Sequence, residues 1–136
     1  MAHTVFYDVV ERYSQTNQGI VIPVILRLSL EREVRLEAKL DTGAAFCLFS
    51  RQYAETLGLE VERGHRVDFS TAAGNFVAYG HEVTLVAMGF ELTGMCYFFE
   101  SVAINKNVLG RNGWLNKIRL GVDDTNQPGI LYASQP

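Results

Sequence analysis

The chain contains 136 residues, of which 48% are hydrophobic and 20% are charged, a size and balance typical of one soluble globular domain. Twelve Lys and Arg against fifteen Asp and Glu give a net charge of −3, which excludes the strongly basic surface expected of a protein that binds nucleic acid or an anionic membrane. The two cysteines and three histidines fit no metal-ligand spacing, so we predict neither a metal site nor a cofactor.

The first 18 residues contain no basic segment followed by an apolar one, so they do not resemble a secretory signal, and we expect a cytoplasmic protein. The longest apolar run, residues 20–26, is shorter than the roughly 18–20 residues needed to cross a bilayer, and no membrane segment is predicted. Val5, Phe6 and Tyr7 suit an edge strand or an interface arm, and the sequence does not decide between the two.

Apolar residues at every second position predict a β-hairpin between residues 22 and 40. Pro23 suits the start of its first strand, residues 22–30, better than the middle of a strand. The charged turn Glu31-Arg32-Glu33 precedes the second strand, residues 34–40. This second strand leads directly into Asp41.

A short helix is predicted after this hairpin, because Ser50 is a suitable N-cap and residues 52–55 tolerate a helix. Gly58 is suited to end it in a left-handed conformation.

A second hairpin is predicted from two strands, residues 65–70 and 76–79, joined by residues 71–75. Gly74 and Asn75 can supply the positive φ that a tight turn needs. The tip of this hairpin is therefore small and uncharged.

Further strands are predicted at residues 82–88, 95–99 and 117–122, with a second short helix at residues 111–116. The turn-rich tail ends in an apolar stretch, residues 130–132, which suits an edge strand. There is no repeat and no linker, so we predict one all-β domain with one or two short helices.

Two segments that are far apart in the chain carry the chemical signal. Leu40-Asp41-Thr42-Gly43-Ala44 places an acidic residue immediately after an apolar strand and before residues that permit a tight turn. Val108-Leu109-Gly110-Arg111-Asn112 places two apolar residues and a glycine before the predicted second helix, and the small-residue hairpin lies between the two segments.

In this order the segments resemble those of the retropepsin-like aspartic proteases, the single-domain, retroviral-type branch of the pepsin clan. The likeness covers residues 19–122, which leaves residues 1–18 as an N-terminal extension and residues 123–136 as a C-terminal tail or edge strand. It implies a closed, barrel-like, homodimeric acid-protease fold for a single domain over residues 1–136, and a stand-alone cellular or prokaryotic member of the family.

The resemblance implies a role for each residue of these motifs. Asp41 corresponds to the catalytic carboxylate, Thr42 to the residue that hydrogen-bonds across the dimer axis, and Gly43 to the residue that lets the backbone turn under the carboxylate. The residues implied to contact substrate, in the cleft and at the flap tip, are Ala44, Thr71, Ala72, Ala73, Gly74 and Asn75. The residues implied to form the structural motif are Leu109, Gly110 and Arg111.

Peptide hydrolysis by this route uses a water molecule held between two carboxylates, one ionised and one protonated, because two adjacent like charges cannot both ionise cheaply. No metal or organic cofactor takes part. The sequence contains Asp-Thr-Gly once, and Asp123-Asp124-Thr125-Asn126 lacks both the glycine and the preceding apolar strand. The resemblance therefore implies a homodimer in which each chain contributes one Asp41 and an extended peptide or protein is the substrate.

Arg111 departs from the retroviral pattern, in which the matching arginine pairs with an aspartate two positions after Asp-Thr-Gly. That position is Ala45 here, so Arg111 must bind another carboxylate, a carbonyl group or solvent.

Other interpretations stay open at this stage. Asp41 can be a turn residue that only caps backbone amides, and Cys47 can be a nucleophile, although a buried core residue suits both Cys47 and Cys96 better. We assign Trp114 to the core. His65 and His81, which flank the second hairpin, are expected at the surface.

The favoured function is that of an aspartic endopeptidase. The alternative is a non-catalytic relative that keeps the dimeric cleft for peptide binding or assembly. A more remote option is a small-ligand β-barrel in which the Asp-Thr-Gly tripeptide is a coincidence.

Overall fold

The computed structural model describes residues 1–14 and 19–136, and within them it contains ten β-strands, one α-helix and two 3₁₀ turns. The strands are β1 (Val9–Tyr13), β2 (Val21–Ser29), β3 (Arg32–Leu40), β4 (Leu48–Phe49), β5 (His65–Thr71), β6 (Gly74–Ala87), β7 (Phe90–Phe99), β8 (Val108–Leu109), β9 (Arg119–Asp123) and β10 (Gly129–Ser134). The helix is α1 (Arg51–Thr56), and the 3₁₀ turns are Val61–Arg63 and Leu115–Lys117. The predicted all-β class is confirmed.

β2 and β3 form the predicted first hairpin, because their alternating apolar residues face the same side. Ile22 lies opposite Ala38 and Val24 opposite Leu36 in the antiparallel register, and all four side chains are buried. The chain turns at residues 30–31, between the two strands. The hairpin therefore delivers Asp41 from the end of β3.

Seven strands form the larger sheet, in the order β2-β3-β8-β4-β7-β6-β5, and β2 also pairs with β6. Two of its pairings are parallel: β3 with β8, and β4 with β7. The β3–β8 pair positions the candidate site, since it aligns Lys39 with Val108 and Leu40 with Leu109.

β6 is one long strand, whereas the sequence predicted separate strands at residues 76–79 and 82–88. The predicted break falls at Gly80, which serves packing rather than a turn. A Cβ at Gly80 would lie 2.7 Å from atoms of both the Met95 and the Tyr97 side chains on β7. The glycine lets these side chains cross β6 without interrupting it.

The tip of the β5–β6 hairpin is also tighter than predicted, because the turn comprises only residues 72–73. Gly74 has a φ of +124°, as predicted, but Asn75 is not in a positive-φ conformation and pairs with Ser70 in the ladder.

α1 confirms the predicted first helix, and Gly58 follows it with a φ of +79°. Ser50 occupies the N-cap position, but its side chain makes no hydrogen bond to the helix. The predicted capping role of this side chain is therefore wrong; its hydroxyl group bonds to the loop before β8 instead.

The predicted helix at residues 111–116 is wrong. Gly113 has a φ of +105°, which is outside the right-handed helical region, and Asn112 forms a β-bridge with Phe46. The segment contains only the beginning of the 3₁₀ turn Leu115–Lys117. Trp114 is nevertheless fully buried, so its assignment to the core is confirmed.

Strands from the two ends of the chain form a second, three-stranded sheet, in the order β1-β10-β9. β10 is its central strand, which corrects the expectation that residues 130–132 form an edge strand. Val5, Phe6 and Tyr7 lie outside any strand, so the edge-strand alternative for them is wrong; the edge strands of this sheet are β1 and β9. The Tyr13 hydroxyl group donates a hydrogen bond of 2.6 Å to Asp124 and links β1 to the segment after β9.

Across residues 1–14 and 19–136, we find no helix with both the length and the apolar character that crossing a bilayer requires.

Leu131 and Val122 are register partners in the second sheet and differ in burial, since 0% of Leu131 and 49% of Val122 is exposed. We expect Leu131→Ala to lower the free energy of unfolding by about 2–5 kcal/mol, because it leaves a cavity in the core. The matched change Val122→Ala should cost under about 1 kcal/mol. Urea denaturation of both variants measures the difference, and equal losses would contradict the assigned burial.

Candidate active site

Asp41 lies directly after β3 and is half-buried. Its backbone N–H donates a hydrogen bond of 3.0 Å to the Leu109 carbonyl group at the end of β8. The parallel β3–β8 pair therefore joins the two motifs that the sequence singled out.

A tight turn after Asp41 fixes the orientation of its carboxylate. The Gly43 N–H donates a hydrogen bond of 2.9 Å to Asp41 Oδ1, and the Ala44 N–H donates one of 3.2 Å to the Asp41 carbonyl group. A Cβ at Gly43 would lie 3.2 Å from the same Oδ1, so the glycine permits this close approach. In the described part of the chain no second donor reaches this carboxylate, which leaves its other oxygen available.

The second motif supports the Asp41 loop through its backbone. The Arg111 N–H donates to the Ala44 carbonyl group at 2.9 Å, and the Asn112 backbone and side-chain N–H groups donate to the Ala45 carbonyl group at 2.9 and 2.8 Å. A Cβ at Gly110 would lie 2.2 Å from the Phe46 carbonyl oxygen, so only glycine fits there.

The Arg111 guanidinium group is exposed and forms no ion pair within residues 1–14 and 19–136. Within the described ranges of one chain, neither a carboxylate nor a carbonyl group binds this side chain, so solvent is the partner that remains of the three that Ala45 leaves open. The contribution of Arg111 to the loop is its backbone hydrogen bond to Ala44.

The tip of the β5–β6 hairpin is exposed and organised by one threonine. Thr71 Oγ1 donates to the Gly74 carbonyl group at 2.9 Å and accepts a hydrogen bond of 3.2 Å from the Ala73 N–H. The threonine thus closes the two-residue turn that the sequence placed within a longer loop.

A cleft of about 650 Å³ brings the Asp41 loop and the hairpin tip together. Of the predicted site residues, those that line it are Asp41, Gly43, Ala44, Thr71, Ala73, Gly74 and Asn75. Those that do not line it are Thr42, Ala72, Leu109, Gly110 and Arg111. Leu109, Gly110 and Arg111 lie behind the Asp41 loop, which agrees with a role for this motif in supporting that loop.

Four phenylalanines that the sequence analysis did not single out form one side of the cleft, and we call them the aromatic wall: Phe46, Phe69, Phe76 and Phe99. The Phe69 and Phe76 rings stack at 5.1 Å, and each also meets a ring outside the hairpin, Phe46 at 5.8 Å and Phe99 at 5.3 Å respectively. Phe69 and Phe76 are register partners just below the hairpin tip. Their symmetric spacing about the tip was the sequence signal that could have revealed them.

The other candidate residues lie away from the cleft. Cys47 and Cys96 are both buried and unbonded to each other, so the core interpretation is confirmed and the nucleophile interpretation of Cys47 is wrong. His65 is exposed as expected, whereas His81 is half-buried with its Nε2 2.9 Å from the Val61 carbonyl oxygen. In the described ranges, no group of three or more His, Cys, Asp or Glu side chains is arranged to hold a metal ion.

A family model described as aspartyl protease matches residues 26–112, which include Asp41, the β5–β6 hairpin and the Leu109-Gly110-Arg111 motif. The chain belongs to this family. No curated protein sequence matches it.

Two solved structures place this aspartyl protease family member among the retropepsin-like folds. A retropepsin-like aspartic protease from Rickettsia conorii is 16% identical, with a TM-score of 0.62 over 91% of this chain and 96% of that one. The EIAV protease in complex with the inhibitor HBY-793 is 17% identical, with a TM-score of 0.56 over 74% of this chain and 88% of that one. At these identities the likeness concerns the fold.

Gly110→Ala tests the support of the Asp41 loop. The added Cβ would meet the Phe46 and Ala44 carbonyl oxygens at 2.2 and 2.8 Å, and backbone cannot move aside as a side chain can. We expect this variant to lose about 1–3 kcal/mol in the free energy of unfolding. Gly43→Ala, whose nearest contact is a carboxylate oxygen at 3.2 Å, should lose less. Urea denaturation compares the two, and equal stability would contradict the geometry.

The two cysteines should be unreactive in the folded protein. Burial raises the pKa of the Cys47 thiol to about 11, and burial also raises the pKa of Cys96. We expect slow labelling by a thiol reagent at pH 8 and rapid labelling of both residues in urea, where thiols recover an ordinary pKa of about 8.5. Rapid labelling of the native protein would contradict their burial.

The same pKa shifts should make the fold less stable as the pH rises above about 8.5, because the thiols of the unfolded protein ionise before those of the folded protein.

Proposed function

We propose that this protein is an aspartic endopeptidase that activates water between two Asp41 carboxylates, one from each subunit of a homodimer. The observation that carries the proposal is the composition of the cleft. Asp41 is the one acidic residue among those that line it, and it lies beside a mostly apolar groove large enough for peptide side chains. A single chain therefore supplies half of the pair that the chemistry needs.

The proposed reaction moves protons between the two carboxylates. The ionised Asp41 removes a proton from water as the water oxygen attacks the scissile carbonyl carbon, and the protonated Asp41 of the partner donates its proton to the carbonyl oxygen. The C–N bond of the tetrahedral intermediate then breaks, and the leaving nitrogen receives a proton from the carboxyl group that was first the base. At the same time the partner's carboxylate takes a proton from a hydroxyl group of the intermediate as the C=O bond of the product acid forms. Each carboxylate thereby returns to its starting state over the cycle. No metal or organic cofactor enters these steps.

The loop geometry suits this role for Asp41. Gly43 donates to one carboxylate oxygen, and the other oxygen has no donor in the described residues, so it is free to bind water. Thr42 is exposed next to Asp41, where it can meet the same loop of a second chain. We assign it the contact across the dimer axis, as in the resemblance.

We further propose that the β5–β6 hairpin acts as a flap over an extended peptide. Its tip is exposed, lines the same cleft as Asp41, and offers backbone N–H and C=O groups beyond the turn. Under this proposal Ala44, Thr71, Ala73, Gly74 and Asn75 contact the substrate directly, and Ala72, which does not line the cleft, supports the turn.

Asp41→Asn tests the catalytic role. We expect wild-type protein to cleave unstructured peptides at about pH 4–6, where one member of the pair keeps its proton, and the variant to lose at least about 100-fold in kcat. Asp68→Asn is the matched control, because Asp68 is an exposed aspartate on β5 that does not line the cleft. Peptide turnover and size by light scattering are measured on the same samples. An active Asp41→Asn variant would exclude the proposed mechanism.

Mixing experiments test whether the two carboxylates come from different chains. When wild-type and Asp41→Asn subunits exchange in equal amounts, random pairing leaves about one quarter of the dimers with two carboxylates. Turnover should then fall to about one quarter of that of an all-wild-type sample at the same total concentration. A fall to one half would show that each chain works alone. A dimer that binds peptide but never cleaves it would favour the non-catalytic binding module.

A further inference from the structure

The cleft contains one cationic side chain, Lys106, and it is the feature of the site that neither the motifs nor the proposed mechanism uses. Asp41 and Lys106 are the two charged residues among its lining, and the others are apolar or neutral. A lysine on the wall of an apolar groove bears on what the groove binds, because its charge is desolvated by any occupant.

Lys106 lies on a loop whose backbone is fixed by the buried Ser50. The Lys106 N–H donates to Ser50 Oγ at 3.0 Å, and Ser50 Oγ donates to the Asn105 side chain at 3.2 Å. The Ser50 N–H donates to the Asn107 side chain at 3.0 Å, and the Asn107 carbonyl group accepts from the Lys39 N–H on β3 at 2.9 Å. The residues on both sides of Lys106 are therefore held, and its side chain starts from a defined point on the cleft wall.

The Lys106 ammonium group has no carboxylate partner in the described residues, whereas most arginines of the chain do. Arg27, Arg51, Arg63 and Arg66 each form an ion pair closer than 3.5 Å. Lys117, which is half-buried, donates to the Thr93 carbonyl group at 3.1 Å. The charge of Lys106 is thus not engaged in holding the fold together, and it is available to a ligand.

The strand register limits how far apart the backbones of Asp41 and Lys106 can lie. Because Lys39 aligns with Val108 and Leu40 with Leu109, Asp41 follows the pair at one end and Lys106 precedes it at the other. Lys106 is four residues before the position aligned with Asp41, so the Lys106 backbone lies at most about 13 Å from that position. An extended peptide over Asp41 would therefore reach Lys106 within about four residues.

We propose that Lys106 is a specificity-determining residue that selects peptides with an Asp or Glu side chain within four residues of the scissile bond, next to a large apolar side chain that packs on the aromatic wall. The inference rests on the proposed function and names its substrate class. The ammonium group pairs with the acidic side chain at the rim, while the four phenylalanines take the apolar one. Because Lys106 is itself exposed, the gain is that of a partly desolvated pair, about five-fold in kcat/KM.

Peptides that differ by one isosteric residue test this selectivity. The set has a central pair of large apolar residues and carries Glu, Gln or Lys at one position, up to four residues on either side. Assays at pH 5.5 and low salt keep the Glu side chain ionised, since its ordinary pKa is about 4.3. At the responsive position we expect Glu to exceed Gln by about five-fold in kcat/KM and Gln to exceed Lys, with both preferences shrinking at high salt.

Three variants assign the preference to one side chain. Lys106→Met keeps most of the length of the side chain and removes its charge, so the Glu and Gln peptides should become equal within about two-fold. Lys106→Glu should reverse the order and favour the Lys peptide. Arg35→Met is the control, because it removes one positive charge from an exposed residue that does not line the cleft, and it should keep the wild-type preference.

Binding of the same labelled peptides to Asp41→Asn protein, measured by fluorescence anisotropy, separates this inference from the proposed function. If the protein binds the Glu peptide more tightly and Lys106→Met abolishes this preference, the inference is supported even when no peptide is cleaved. The absence of cleavage would then overturn only the endopeptidase proposal. The role of Lys106 is overturned if the wild type cleaves and binds the Glu and Gln peptides equally at every position, or if the preference for Glu survives in Lys106→Met. Peptides that are neither cleaved nor bound overturn both.

Discussion

The parallel pairing of β3 with β8 is the contact on which the candidate site depends. It is only two residues long, yet it brings the Asp41 N–H to the Leu109 carbonyl group and places the next backbone groups, at Arg111 and Asn112, against the turn after Asp41. The carboxylate is thus held by main-chain hydrogen bonds rather than by side chains. Such a frame is rigid because each donor and acceptor is fixed by its strand, which is the form of support that catalytic geometry requires.

Asp41 and Lys106 flank opposite ends of this strand pair, and most of the other residues that line the cleft are apolar. The aromatic wall ties the β5–β6 hairpin to the rest of the sheet through ring contacts, while the hairpin tip carries only small residues. Packing therefore anchors the base of the hairpin and leaves its end free of large side chains. A groove of this kind binds apolar side chains with little selectivity, so its discrimination between peptides rests on the few polar and charged groups at its edge.

Local signals were sufficient for the parts of the fold that alternate strictly, such as the β2–β3 hairpin, and for the Asp41 and Gly110 motifs, where the backbone demands particular residues. They failed where a residue serves a distant partner. Gly80 predicts a strand break in the sequence, but in the structure it makes room for side chains of β7. Ser50 predicts a helix cap, but its hydroxyl group holds the loop before β8. Lys106 gave no signal, because nothing near it in sequence shows that its loop borders the cleft.

The three-stranded sheet makes the fold depend on the whole length of the chain. Among the strands of residues 1–14 and 19–136, β1 pairs only with β10, and the Tyr13 hydroxyl group reaches Asp124 across a separation of 111 positions. During synthesis from the N-terminus, β1 has no partner among the described strands until residues 129–134 have been made. Until then the backbone groups of β1 stay unpaired and the apolar surface beside it stays uncovered. This sheet therefore forms late, and it is the part of the molecule most exposed to mispairing during folding.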